Sequence, residues 1–142
     1  MTVSSGAILL TGRVLFAAFF ASAAWGHIRS HAARVEYGRA ARVPVPYVAG
    51  WPSGVWLAAG AASIALGVWP DIGALMLAAF VLPAGLLLHA YWRVDDSGQR
   101  QTQQMAFLRN VALLGACLSL FACFATLGEQ LRLVVAAPLV HL

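Results

Sequence analysis

The stretch IGALMLAAFVLPAGLLLHAYW, residues 72–92, decides the fold class, because it contains no Asp, Glu, Lys or Arg. A helix of a soluble protein needs one wet face. A strand rarely exceeds about ten residues. A helix of about 20 apolar residues matches a hydrocarbon core about 30 Å thick. Residues 72–92 therefore read as a transmembrane helix. Working outward, residues 8–27, 52–69 and 105–127 have the same character. In lipid such runs must be helical, since an unpaired backbone amide has no water to bond. The expectation is all-α: an integral membrane four-transmembrane-helix bundle, one domain over residues 1–142. The apolar tail 128–142 is too short to span and is expected to lie in the membrane interface.

Composition agrees. Hydrophobic residues make up 61% of the 142 and charged residues 10%. A soluble domain carries roughly a quarter charged residues. The net charge is +4, and every basic side chain is Arg. These arginines sit between apolar runs, which points to membrane loops and not to nucleic acid. Cys117 and Cys123 are six residues apart on one helix, a rise of about 9 Å. That exceeds the reach of a disulfide, about 7 Å between Cα atoms, so both are expected as free thiols. No phosphate loop, nucleophile elbow, Cys-x-x-Cys or dinucleotide fingerprint occurs.

The connections give topology. Ile28 to Pro52 carries Arg29, Arg34, Arg39 and Arg42 against Glu36 alone. Its first half is expected to run as a surface helix, ended by Val43-Pro44-Val45-Pro46. Pro70-Asp71 alone joins the second and third spans as a tight hairpin. Arg93 to Gln104 is a polar loop. The positive-inside rule puts both long connections in the cytoplasm and both termini outside. Ala and Gly recur at helical spacing: Ala17, Ala21 and Ala24; Gly54, Ala58, Ala61 and Ala65; Ala112, Gly115 and Ser119. Small residues let membrane helices approach closely.

Intramembrane polar groups are costly and so are functional candidates. They fall into two clusters. Toward the outer end, Arg13 and Asp71 are expected to form a structural ion pair, with Glu129 near. Toward the cytoplasmic end lie His27, His31, His89, Arg109 and Asn110. Arg13 and His27 share one face of the first helix, through Ala17, Phe20 and Ala24, which is expected to look into the bundle. His27, His89, Arg109 and Asn110 are the candidate cofactor-binding set. Two imidazoles on different helices suit a quinone carbonyl, a proton relay, haem or another metal. A plain polar girdle of snorkelling side chains is the structural alternative. No catalytic residue and no metal site is assigned. A quinone is the first candidate cofactor and haem the second.

Four segments carry a family resemblance. They are Gly12-Arg13-Val14-Leu15 through Trp25-Gly26-His27, Val43-Pro44-Val45-Pro46, His89-Ala90-Tyr91-Trp92, and Arg109-Asn110-Val111-Ala112-Leu113-Leu114-Gly115. In order and spacing, across about Leu10 to Leu120, the chain resembles the DoxX family of four-helix bacterial membrane proteins. Family members often have Lys where His27 stands, and a Glu where Gly54-Val55-Trp56 stands. The resemblance implies a multi-pass protein of the bacterial inner membrane. It also implies association with redox complexes, the founding example serving thiosulfate oxidation linked to quinone.

The leading expectation is an accessory subunit of a larger redox or energy-converting membrane complex, touching lipid and other membrane subunits. It is not expected to be an enzyme on its own, since no self-sufficient catalytic set is present. The alternatives are a quinone-binding subunit of a membrane oxidoreductase and a small-solute transporter.

Overall fold

The computed structural model describes residues 3–127 and 139–140. Among them there are helices and no strands. Helix α1 runs Val3–Arg29, α2 His31–Ala40, α3 Trp51–Leu66, α4 Pro70–Leu88 and α5 Ser97–Leu127. Short 3-10 turns cover Pro46–Ala49 and Tyr91–Arg93. Helix α3 packs against both α1 and α4, and α5 packs against α4.

Three segments are long and apolar enough to cross a membrane: Gly6–Arg29, Pro70–Arg93 and Ser97–Leu127. Only 22%, 33% and 17% of their most apolar windows are buried within the chain. The remaining apolar surface belongs to lipid or to other protein. Helix α3 is equally apolar but has 16 residues, a length of about 24 Å.

The core is built on small residues. Ala17, Phe20 and Ala24 of α1 meet Leu57, Ala61 and Ile64 of α3, and Ala74, Leu77 and Val81 of α4 close the other side. At Gly54 a Cβ would stand 2.9 Å from the carbonyl oxygen of Ala24, so glycine is what lets α1 and α3 touch. The expected inward face of α1 is buried throughout: Arg13, Ala17, Phe20, Ala24 and His27. On α5 the small residues behave otherwise. Ala112, Gly115 and Ser119 are exposed, and Cys117 faces the core instead. Both cysteines are free thiols.

Several boundaries depart from the sequence reading, each for a local reason. Helix α4 begins at Pro70, because proline suits the first helical turn. The link from α3 is therefore Gly67-Val68-Trp69, with Gly67 at φ 69°. The Ser63 hydroxyl lies 2.7 Å from the carbonyl of Val68 and 2.9 Å from that of Trp69, so its one proton serves either. Helix α4 stops at Leu88 and not at Trp92, and the Leu88 carbonyl accepts the Tyr37 hydroxyl at 2.9 Å. Helix α5 starts eight residues before the apolar run. Asp96 caps it by accepting the Gln99 amide at 2.8 Å. The tail expected in the interface lies almost wholly outside the described residues, as does Glu129.

Candidate functional site: a cavity between α1, α4 and α5

Near the Arg13 end, α1 and α5 meet, with the Arg13 guanidinium 5.9 Å from the Phe124 ring centre. Toward the other end a cavity of about 380 Å³ opens between α1, α4 and α5. Its lining includes His27, His89, Arg109 and Asn110, so the sequence-expected residues from three helices come to one space. The apolar wall is Phe19, Phe20, Phe80, Val81, Ala84 and Leu113.

Each polar side chain is placed by a local feature. His27 is buried, and its Nδ1 lies 2.8 Å from the Ala49 carbonyl, which only accepts. The ring proton therefore sits on Nδ1. Ser53 Oγ, 2.7 Å from the same nitrogen, passes its own proton to the Gly50 carbonyl at 2.9 Å. His89 caps the end of α4 and donates from Nδ1 to Gln103 Oε1 at 2.9 Å. Nδ1 is thus the hydrogen-bond donor in both rings, and Nε2 is the nitrogen open to another partner. Arg34, Arg109 and Asn110 are donors that line the cavity. Asn110 sits where α5 crosses Gly85, whose Cβ would be 3.3 Å from that of Asn110.

Two lining residues, Arg34 and Tyr37, escaped the sequence reading. They are three apart on α2 and share a face. An arginine and a tyrosine on one side of an amphipathic surface helix was the available signal. Arg34 folds back onto α1, its Nη2 3.5 Å from where a Cβ of Gly26 would stand. Ser53 and Gln103, which orient the two imidazoles, carry no sequence signal beyond polarity beside an apolar run.

His31 does not line the cavity. Its Nδ1 accepts the Trp51 amide at 3.1 Å, and its ring packs on Tyr47 at 5.0 Å. It satisfies one of the orphan amide donors that open α3.

The expected Arg13–Asp71 ion pair is replaced by other bonds. Arg13 Nε donates to the Ile64 carbonyl at 2.8 Å and Nη2 to the Ala65 carbonyl at 3.1 Å. Helix α3 ends at Leu66, and its last-turn carbonyls, which lack intrahelical partners, draw the guanidinium. Asp71 Oδ2 accepts the amides of Leu139 and Val140 at 2.9 and 2.8 Å. Among the described residues the ion pair is Arg39–Glu36, on exposed α2.

Long apolar helices, small-residue crossings and a polar cavity at one end define a multi-pass membrane protein with a ligand-sized internal space. The chain belongs to the DoxX family, whose model matches residues 8–90, more than half of the sequence. The match takes in α1 to α4 and His89, and ends before Arg109 and Asn110. Comparisons with curated proteins and with solved structures find no match.

Proposed function

We propose that the protein is a non-catalytic subunit of a bacterial redox membrane complex, and that it holds a quinone headgroup in the cavity between α1, α4 and α5. The observation that carries this is the lining: two imidazoles, three cationic or amide donors (Arg34, Arg109 and Asn110) and three phenylalanines around about 380 Å³. Ligand sites of this kind are mostly apolar with a few placed polar groups, and run from about 300 Å³ upward. A quinone supplies two-electron, two-proton chemistry when bound. The chain's own residues bind, orient and exchange protons. Arg109 and Asn110 donate to a carbonyl oxygen. His27 and His89 receive a hydroxyl proton at Nε2. Phe19, Phe20 and Phe80 enclose the ring and exclude water.

We also propose a topology. Helix α3 crosses the membrane as a fourth, short span, with Pro46–Ala49 and Gly67–Trp69 as its interfacial ends. The two long connections, which hold Arg29, Arg34, Arg39, Arg42, Arg93 and Arg100, face the cytoplasm.

Quinone binding to the purified chain in lipid nanodiscs tests the proposal. Saturable binding should weaken about tenfold in His89→Ala and in Arg109→Ala, each loss being one hydrogen bond to a charged or protonating partner. Equal affinity in wild type and both variants would remove it. A second reading, an accessory subunit that packs on partner helices, is favoured by the exposed Ala112, Gly115 and Ser119 stripe on α5. Isolation in a gentle detergent checks it, and a lone chain without companions counts against it.

A further inference from the structure

A second and larger cavity, about 730 Å³, lies where α2 ends, α4 ends and α5 begins. Arg42, Arg93 and Gln103 line its polar side, and Leu87, Leu88 and Val94 its apolar side. No acid lines it. The described acids are engaged or apart. Glu36 pairs with Arg39, Asp96 caps α5, and Asp71 holds the amides of Leu139 and Val140. Asp95, two residues beyond Arg93, forms no ion pair among the described residues. Two arginines therefore line one space that no acid lines.

The backbone at Arg42 is the second observation. The Val43 amide reaches the Gly38 carbonyl at 2.9 Å and the Arg42 amide reaches that of Arg39 at 3.0 Å. This is the closing turn in which the residue after the cap adopts the left-handed conformation, a place usually taken by glycine. Arg42 occupies it at φ 58°. Glycine would stand there without steric cost, so the arginine side chain is held at the expense of its own backbone. The third observation is depth. Tyr91 and Trp92 each pack on Phe107 at 5.6 Å, with Trp92 half exposed. Such aromatic groups mark the membrane interface, where lipid phosphates lie.

We propose that this cavity is a binding site for an anionic phospholipid, Arg42 and Arg93 holding its phosphate oxygens while an acyl chain runs along Leu87 and Leu88. Guanidinium forks match phosphate oxygens in pairs. Basic pockets between membrane helices take such headgroups. Its two arginines do not line the other cavity, although Leu88 lines both and Gln103 is bonded to His89.

The full chain in detergent is titrated with phosphatidylglycerol, phosphatidylcholine or inorganic phosphate, and lipid retention is read by native mass spectrometry beside the thermal midpoint. Wild type should retain phosphatidylglycerol over phosphatidylcholine and gain stability only with the former. Arg42→Gly and Arg93→Gln should each weaken retention about fivefold, and the double variant about twenty-five-fold. Arg42→Gly keeps the turn with the residue that suits it best, so its loss of lipid is not a loss of fold. Equal retention of both lipids, or unchanged retention in the variants, overturns the proposal. Stabilisation by inorganic phosphate alone, abolished in the same variants, overturns the lipid as occupant and leaves a free-phosphate site.

Discussion

Arg13 Nε donates to the carbonyl oxygen of Ile64 at 2.8 Å, from the middle of one apolar helix to the end of another. Helix α3 has 16 residues and ends at Leu66. Its last carbonyls lack intrahelical partners, and Ile64 is fully buried. Arg13, 1% exposed, brings donors to Ile64 and Ala65. The cation also sits at the negative end of the α3 dipole. Arg13→Met keeps the bulk and removes the donors. Leaving buried acceptors unpaired costs about 1–3 kcal/mol each, so unfolding in mixed micelles should show a loss of about 2–4 kcal/mol. A change within about 0.5 kcal/mol would mean that other groups reach these carbonyls.

Asp71 does a comparable task with the opposite charge. Its Oδ2 accepts two amides from the C-terminal segment, while the residue itself is fully buried. A bond from an amide to a carboxylate contributes about 1.5–3 kcal/mol. Asp71→Ala should therefore speed hydrogen exchange at Leu139 and Val140 by about 10–100-fold, while the α1 core amides keep their protection. Asp71→Asn retains one carbonyl oxygen and should show a smaller rise. Unchanged exchange in Asp71→Ala would place the hold on the tail elsewhere.

Hydropathy made the spans and the inward face of α1 legible, because lipid imposes one rule on every exposed side chain of a run. The spacing of Arg13, Ala17, Phe20, Ala24 and His27 was enough to bury them together. The candidate site was legible for the same reason. His27, His89, Arg109 and Asn110 interrupt apolar helices at one depth, and three helices bring them to one cavity. Hydropathy was silent on what happens outside the lipid. The Asp96 cap and the polar first turns of α5 lie in a stretch read as loop. It was silent also on partners: charge alone suggested Arg13 with Asp71, whereas backbone carbonyls and amides took both. Helix ends inside lipid compete for charged side chains, and no residue-type pattern records that competition.

Gly54 and Gly115 provide a matched contrast. A Cβ on Gly54 would meet Ile28 Cγ1 at 2.6 Å and the Ala24 carbonyl at 2.9 Å. The backbone oxygen cannot swing aside, so α1 and α3 must separate. Gly54→Ala should cost about 1–3 kcal/mol and weaken any ligand held by His27, whose Cβ is 3.2 Å from the same point. Gly115 has nothing within 4 Å, and Gly115→Ala should be neutral or stabilising by about 0.5–1 kcal/mol in a helix interior. Thermal midpoints of the two variants give the comparison. If Gly115→Ala proves the more damaging in a purified native complex but not in the isolated chain, the exposed α5 stripe is a partner contact.

Tyr37 ties α2 to the end of α4, its hydroxyl donating to the Leu88 carbonyl at 2.9 Å. Leu88 lines both the quinone-sized cavity and the larger one beside Arg42, and Tyr37 lines the former. The bond thus holds the wall between the two spaces. Tyr37→Phe keeps the ring and loses the proton, about 0.5–1.5 kcal/mol for a neutral hydrogen bond. Amides of α2 should then exchange about three- to tenfold faster, and those of α4 before Leu88 should not change. Faster exchange along α4 as well would mean that the Leu88 carbonyl is needed to end that helix, and that Tyr37 shapes the bundle itself and not only the cover over its cavity.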